Sequence, residues 1–360
     1  MTSLRTAVIC SKLGKHGRTL LSHLKNTNIN ANKSSIRTFM RAVQIQKFGG
    51  PEVLQVDHVQ VPEEKDHEVL VQVKCCGINP IDVYIREGGF AVLPPLPLIL
   101  GKEVSGTVIK KGKDVTKFKE GDRVYCCLPW NGGYAENVVC SEDHTFLLSE
   151  KLSFPQGAGM YVPYFTAYRA LVIKCKMQAG ENILIHGASG AVGIAAVQLA
   201  KNRGLCVVGT AGTEAGLEVV RKAGADYVFN HREADHLKRA YETTDGKGFD
   251  VLLENMAHIN LGKDLMVLSQ QARLAVVGSR DEVKVIPRHL IYTEAMVVGI
   301  KLLANTKEEM QEMGNALYEG ANAGWVNPII DQEFDFDSAK EAHSLILSNR
   351  GARGKLVFKT

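Results

Sequence analysis

The sequence predicts an α/β protein of two domains, a β-rich domain followed by a doubly wound parallel sheet. Three observations predict it. At 360 residues the chain exceeds what one core usually organises, so two domains is the expected count. From Met40 onward apolar and polar residues alternate in short runs broken by glycine and proline, the period of strands. After Gly180 apolar runs alternate with amphipathic stretches, which implies parallel β-α-β units. The expected boundaries are residues 40–165 for the β-rich domain, 166–302 for the parallel-sheet domain, and 303–360 for a C-terminal segment. That last segment is apolar enough to require packing back on the first domain.

Taken in order, residues 1–39 carry seven Lys/Arg and no acid, the first carboxylate being Glu52. Leu4, Val8, Leu13, Leu20, Leu21 and Leu24 can share a helical face, with Lys12, Lys15, Arg18 and Lys25 elsewhere. This is the composition of a mitochondrial transit segment; a disordered basic tail, or upstream sequence before a start at Met40, is the other reading. Location is therefore read as mitochondrial or cytoplasmic. The remainder holds 36 basic against 39 acidic residues, so its charge does not point to nucleic acid. An apolar fraction of 45% and a charged fraction of 23% are ordinary for a soluble globular chain. No apolar run reaches the roughly 18–20 residues of a membrane helix. The eight cysteines include no C-x-x-C pair, so they are read as reduced core residues, without zinc spacing or a disulfide framework.

The stretch "MRAVQIQKFGGPEVLQVDHVQVPEEKDHEVLVQVKCCGIN" alternates as strands do, with turns at Gly49-Gly50-Pro51 and Pro62. "EVSGTVIKKG", "GDRVYCCL" and "GGYAENVVC" continue the pattern, and a helical signal runs from about Gln156 through "YVPYFTAYRALV". "ENILIHGASGAVGIAAVQLAKNRG" then reads as buried strand, glycine turn and amphipathic helix. "LCVVGTAG", "DYVFN", "FDVLLENM", "LAVVGS" and "MVVGIK" are further strands with helices between them. The last sixty residues read as two helical stretches and a final strand, "GKLVFK".

"HGASGAVG", His186 to Gly193, lies where a dinucleotide fingerprint belongs, after a strand and at the opening of a helix. Ala188 replaces the first glycine of G-x-G-x-x-G. Gly190 lets backbone approach a pyrophosphate, Gly193 lets helix and strand pack closely, and the helix N-terminus attracts the phosphates. An NAD site places Asp or Glu at the end of the second strand, where it binds the ribose hydroxyls. Here that place is "GTAGT", without an acid, and Glu214 beyond it belongs in the first turn of the next helix. Gly212 and Thr213 leave room for a 2′-phosphate, and His231 and Arg232 of "FNHRE" lie within reach of it. NADP(H) is the expected cofactor.

From Met40 to its end the chain resembles a zinc-free medium-chain dehydrogenase/reductase of the quinone oxidoreductase, zeta-crystallin-like group. The phrases that carry the resemblance are "FGGPEVL", "CGINPIDVYIREGGF", "GTVIKKGKDVTKFKEGDRV", "TAYRAL", "HGASGAVG", "GTAGTEAG", "FNHRE" and "VVGSR". The resemblance implies a GroES-like catalytic domain, a central Rossmann domain, a cleft between them, and a C-terminal segment that completes the first domain. It also implies NADPH contacts at Tyr84, Thr166, Ser189, Gly190, Ala191, Val192, Gly193, Gly212, Thr213 and His231. Further contacts match Asn260, the turn Val277, Gly278, Ser279 and Arg280, and the strand end Ile300, Lys301 and Leu302. Relatives often carry a lysine where this chain has Gly216, which shifts phosphate binding onto His231 and Arg232. Members of the group form homodimers or homotetramers through the edge of the Rossmann sheet. Some bind RNA or accumulate as lens proteins; here only "KKGKDVTKFK" is locally basic, the composition of a solvated turn.

Zinc-dependent relatives take ligands from a C-G-x-C phrase and from the histidine of Gly-His-Glu. In this chain Asn79 and Lys102 stand at those places. An amide is a poor zinc ligand and an ammonium has no lone pair, so no metal site is expected. The compatible chemistry is hydride transfer from NADPH to a quinone or a conjugated enone, with the protein orienting the nicotinamide. Asn79 and Tyr84 are candidates to position substrate or nicotinamide. Asp82 either orients them or caps a turn. Lys102 either faces the cleft and stabilises negative charge on the acceptor oxygen, or is solvated and paired with Glu103. An enoyl-thioester reductase is the alternative reaction, but the place of its tyrosine proton donor holds Phe90.

Overall fold

Period-two alternation from Phe39 builds antiparallel strands, each with one face available for a core. The computed structural model describes residues 38–129, 131–348 and 350–360; the leader read as a transit segment falls outside them except for Thr38 and Phe39. Strand β1 (Phe39–Ile45) pairs with β2 (Leu54–Gln60), setting Val43 opposite Val56. Then come β3 (Glu68–Ile78), helix α1 (Pro80–Arg86), β4 (Leu98–Ile99), β5 (Glu103–Lys111), β6 (Arg123–Cys127), β7 (Asn137–Ser141) and β8 (Thr145–Leu147). Proline at the first position of α1 loses no hydrogen bond there, because that N–H has no intrahelical acceptor. A short helix α2 (Phe154–Gly157) begins at Ser153, whose Oγ accepts from the amide of Gln156 at 3.4 Å. From Tyr161 the chain stays helical through α3 (Thr166–Tyr168) to Lys174, so one helical run crosses the expected boundary at 165/166.

The second half alternates as expected: β9 (Asn182–Ile185), α4 (Ala191–Asn202), β10 (Cys206–Ala211), α5 (Glu214–Ala223), β11 (Tyr227–Asn230), α6 (His236–Glu242), β12 (Phe249–Glu254), α7 (Ala257–Asp264), β13 (Leu268–Val276), α8 (Arg288–Thr293) and β14 (Met296–Gly299). The strands form one parallel sheet in the order β11-β10-β9-β12-β13-β14. Strand order reverses between β9 and β12, and the glycine turn leaves β9 at that switch point. In open α/β sheets this is where ligands bind. The chain continues through α9 (Lys307–Ala323), β15 (Ile330–Phe334), α10 (Ala339–Ile346) and β16 (Lys355–Lys359). Strand β16 pairs antiparallel with β3 and parallel with β15, so the C-terminal segment completes the sheet β15-β16-β3-β5-β6-β8 of the GroES-like domain. The sequence reading missed β15, because "IDQEF" is polar and pairs only with a strand twenty residues away.

The two domains share packing. One apolar cluster runs from Tyr125 and Phe146 of the GroES-like sheet through Tyr161 and Phe165 to Ile183 and Ile194 of the Rossmann domain, with Met313 and Leu317 of α9 closing it. A second cluster fills the GroES-like sheet, and a third covers the other face of the parallel sheet around Leu184, Leu252 and Leu274. The seven described cysteines are free thiols, six of them buried. Among the described residues no helix is long and apolar enough to cross a membrane.

Candidate active site

The glycine turn is built as its residue types require. A Cβ on Gly193 would lie 2.4 Å from the Gly187 carbonyl oxygen and 2.5 Å from Ala188 Cα, so only glycine allows α4 to approach β9 this closely. Gly190, the N-cap of α4, is different. A Cβ there would meet the Gly187 carbonyl oxygen at 3.5 Å and Ala352 Cβ at 3.9 Å, ordinary contacts, so packing within the chain does not itself demand glycine. Ser189 is buried beside it. The first amides of α4, from Ala191, Val192 and Gly193, have no intrahelical acceptors and suit an anionic group.

At the end of β10, a Cβ on Gly212 would lie 2.6 Å from His231 Nε2 and 3.1 Å from Arg232 Nε, so these two side chains flank the glycine as expected. Burial first, then the neighbouring His186, His236 and Arg232, hold the His231 pKa below its ordinary value. Thr213 is the N-cap of α5: its Oγ1 accepts from the amide of Gly216 at 3.1 Å, which leaves its O–H to donate. Glu214 is the first residue of that helix. Gly216 has little spare room, since a Cβ would sit 3.2 Å from Ala211 Cβ and from the hydroxyls of Ser189 and Thr213. The sequence reading missed a further element of this pocket. The loop before β16 returns here: Gly354 forms a bridge with Gly190, and a Cβ on Gly351 would lie 2.7 Å from Thr213 Cγ2. That loop carries Arg350 and Arg353, both paired with Asp331 at 2.9 and 3.1 Å. The run "NRGARGK" was the available signal. These residues and the turn together fit a dinucleotide.

Beneath the turn lies a buried polar cluster. His186 Nε2 is 2.9 Å from Asp264 Oδ1, its Nδ1 is 3.2 Å from Thr210 Oγ1, and its carbonyl accepts from Asn255 Nδ2 at 2.8 Å. Glu254 Oε2 is 3.9 Å from His186 Nε2, and Asn260 Nδ2 reaches Glu254 Oε1 at 3.4 Å. Asn260 is half-buried in the middle of α7, whose first residues meet the turn from Val277 to Arg280: the Ala257 amide donates to the Gly278 carbonyl and His258 Nδ1 accepts from the Arg280 amide. In that turn a Cβ on Gly278 would meet the Asn255 carbonyl oxygen at 2.5 Å, and Ser279 Oγ donates to the Asp281 carbonyl. Arg280 crosses to the other domain, where its Nε donates to the hydroxyl of Tyr84 at 3.1 Å. Thr166 is buried in the helical connector, and Ile300, Lys301 and Leu302 follow β14 with Lys301 exposed.

The residues at the metal places of zinc relatives are packed differently from the expectation. Asn79 is buried and its amide is spent. Its Oδ1 accepts from Lys355 Nζ at 2.5 Å, and its Nδ2 donates to Glu103 Oε1 at 3.0 Å and Gly77 O at 3.4 Å. Both N–H groups of the Asn79 side chain are therefore taken, and it has none left to donate to a substrate in this arrangement. Lys102 is neither solvated nor paired with Glu103. It is buried, with Nζ donating to the Pro129 carbonyl at 2.6 Å, and burial holds its pKa below the ordinary value against the pull of Asp82. Glu103 is instead paired with Lys355 at 2.6 Å. These side chains do not fit a zinc ion: two are ammonium groups, and the amide oxygen already faces one of them.

Asp82 caps α1 by accepting from the Asn79 amide at 2.9 Å, so the capping reading holds. It also accepts from Tyr134 Oη at 2.9 Å, and Tyr134 in turn contacts His343 Nε2 at 3.2 Å. Arg86 Nη1 lies 3.3 Å from His343 Nδ1, which fixes the ring with Nε2 as donor and gives a one-way chain from Arg86 through His343 and Tyr134 to Asp82. Burial, then Arg86, lowers His343 to about 3, so its ring is neutral. Burial raises Asp82 to about 6 against the hydrogen bonds from Tyr134 and Asn79 and the charges of Lys355 and Lys102. Its Oδ1 has no hydrogen-bond partner among the described residues.

Comparison with known proteins agrees with this architecture. Residues 65–177 match the alcohol dehydrogenase GroES-like domain family and residues 191–318 match the zinc-binding dehydrogenase family. The chain is 43% identical over 320 residues to the quinone oxidoreductase of Homo sapiens, covering 89% of this chain and 97% of that protein. It is 31% identical over 326 residues to quinone oxidoreductase 1 of Escherichia coli strain K12, covering 88% and 98%. The solved structure of Escherichia coli quinone oxidoreductase complexed with NADPH superposes with a TM-score of 0.80 at 30% identity, covering 89% of this chain and all of the other.

Proposed function

The chain belongs to the quinone oxidoreductase family of medium-chain dehydrogenase/reductases and is a nicotinamide-dependent oxidoreductase, and from that premise we propose that it uses NADPH to reduce quinones or related conjugated carbonyls without zinc. One observation carries the cofactor preference: the end of β10 offers Gly212 and Thr213 backed by His231 and Arg232, with no carboxylate to repel a 2′-phosphate. The loop that carries Arg350 and Arg353, both paired with Asp331, is brought close by the Gly351–Thr213 contact. The relative solved with NADPH supports this preference.

NADPH, when bound, supplies the hydride. The chain's own residues bind and orient. The α4 N-terminus would hold the pyrophosphate. Tyr84, tethered by Arg280, stands where the two domains meet. The side chains at the metal places do not suit a metal that would activate an alcohol as a Lewis acid, so the fitting acceptor is one that is already electron-poor. Lys102, a desolvated cation, is the candidate to meet negative charge developing on the acceptor oxygen. The lysines of "KKGKDVTKFK" speak against an RNA surface: Lys110, Lys113 and Lys117 are paired with Glu64, Asp66 and Asp143.

Strand β14 ends the parallel sheet, and Met296 and Val297 on it and Ile291 and Tyr292 on α8 are exposed. An unpaired edge with apolar neighbours supports pairing of two copies there. Light scattering on the purified chain tests the dimer. The deciding experiment on activity is one panel of quinones, enals and enoyl thioesters, each with NADPH and with NADH. Quinone-dependent oxidation of NADPH is expected. Turnover of enoyl thioesters alone would move the chain to the alternative reaction.

A further inference from the structure

A lysine from the far end of the chain is buried against Asn79, one of the two residues that stand at the metal places of zinc relatives. Lys355, the first residue of β16, is 3% exposed, and its ammonium donates to Asn79 Oδ1 and Glu103 Oε1 at 2.5 and 2.6 Å. Glu103 uses its other oxygen to accept from the Val162 amide at 2.8 Å, and Asn79 Nδ2 returns to Glu103 Oε1 at 3.0 Å. Cation, carboxylate and amide thus form a closed triangle among residues from β16, β5 and the N-cap of α1. Gly77 shows how tightly it is enclosed, since a Cβ there would lie 2.2 Å from the Ala158 carbonyl oxygen and 2.5 Å from Glu103 Oε1. A buried charge with this geometry is held by its partners, and loss of one partner strands the other.

The backbone beside that ammonium reaches the cofactor turn. Gly354 bridges to Gly190, the N-cap of α4, and the Lys355 amide donates to the Ile329 carbonyl at 2.8 Å. Gly354 has φ +123°, and a Cβ on it would lie 2.3 Å from the Ile329 carbonyl oxygen, so the path admits no side chain. One residue step therefore separates the phosphate-binding turn from the cation, and the cation grips the residue that opens α1, the helix bearing Asp82 and Tyr84.

We propose that Lys355 is a positioning residue: a built-in cation that holds Asn79, at one former metal place, together with Glu103 and so locks the α1 loop to the dinucleotide turn. The inference rests on the nucleotide reading of that turn and not on the identity of the acceptor. An ammonium can organise an amide and a carboxylate as a metal ion would, but it offers no vacant site to an alcohol. The same fold thus keeps its catalytic loop ordered while losing Lewis-acid chemistry.

The test compares Lys355→Met, Lys355→Arg, Glu103→Gln and the double variant Lys355→Met/Glu103→Gln with the full-length wild type. NADPH affinity is read by nicotinamide fluorescence, turnover with the best acceptor from the panel, and stability by melting temperature. In Lys355→Met, the stranded Glu103 carboxylate is expected to lower the melting temperature, and the neutral double variant should recover it to within about 2 °C. That recovered protein is expected still to bind NADPH about fivefold more weakly and to turn over about tenfold more slowly, with Lys355→Arg falling between. A double variant with wild-type affinity and turnover would overturn the proposal, because the triangle would then be structural filling. A wild type that binds NADPH but reduces no quinone would overturn the acceptor assignment, while the affinity measurement would still decide the role of Lys355.

Discussion

Arg280, after β13, donates from Nε to the hydroxyl of Tyr84 on α1 at 3.1 Å, and so ties the Rossmann domain to the catalytic domain at the mouth of the site. The arginine is exposed and the tyrosine half-buried, so the bond orders a surface-accessible pair and contributes little to the core. Tyr84→Phe is expected to lower kcat/KM for the acceptor about three- to tenfold while leaving stability within about 0.5 kcal/mol of wild type. Steady-state kinetics with a denaturation curve checks both halves. Unchanged kcat/KM would release Tyr84 from any role at the nicotinamide.

His231 and Arg232 set the cofactor preference if a phosphate lies against Gly212. Removing either as His231→Ala or Arg232→Ala should weaken NADPH about tenfold and NADH by less than about twofold, since only one of the two dinucleotides carries the extra charge. Titrations of both dinucleotides measure the ratio. Equal losses for both would place the 2′-phosphate elsewhere.

Lys102 is the candidate charge at the acceptor. Lys102→Met keeps the buried stem and removes the ammonium that donates to Pro129. Turnover with the preferred quinone is expected to fall about tenfold or more, with a smaller change in NADPH affinity. Unaltered turnover would reduce Lys102 to a residue that pins the Pro129 loop.

Glu254 makes stability depend on pH. Burial, eased by His186 and reinforced by Asp264, raises it from 4.5 to about 8. The unfolded chain gives up that proton near the ordinary value, so between about pH 4.5 and 8 the folded state binds more protons and this group's contribution declines as pH rises. His186 acts in the same direction: burial lowers it, Asp264 outweighs that, and its net rise gives stability that is complete below 6.5 and is lost as pH climbs through the folded value. Glu254→Gln, which resembles the protonated acid, should therefore match wild type near pH 5 and melt higher near pH 8.5. Melting curves across that range would refute this if the two proteins kept a constant difference.

Legibility differed from residue to residue. The β9–turn–α4 unit was readable because its requirements are local: an apolar strand, Gly193 where no Cβ fits, and an amphipathic helix follow one another in the chain. The missing carboxylate after β10 was readable for the same reason, as was Glu214 as a residue of a helix first turn. Partners distant in sequence were not. For Lys102 the sequence left two readings, a cleft-facing charge or a solvated pair with Glu103, whereas Glu103 found Lys355 from 252 residues away and Lys102 was left to Pro129. Asn79 was correctly marked as no cysteine, but the Lys355 ammonium that saturates its oxygen lies 276 residues downstream.

By itself the sequence determined the two kinds of sheet, the glycine turn at the switch point and the side chains standing at the metal places. Each follows from periodicity, or from what a single residue type can and cannot do at one position. Tertiary structure decided which of those side chains face a ligand and which are consumed by one another. Hydrogen-bond partners for a buried amide, carboxylate or ammonium are chosen by proximity in space, and burial makes that choice costly to leave unmade. The return of β16 to β3 brings Lys355 to Asn79 and Glu103, and that pairing of strands is not written in either strand alone.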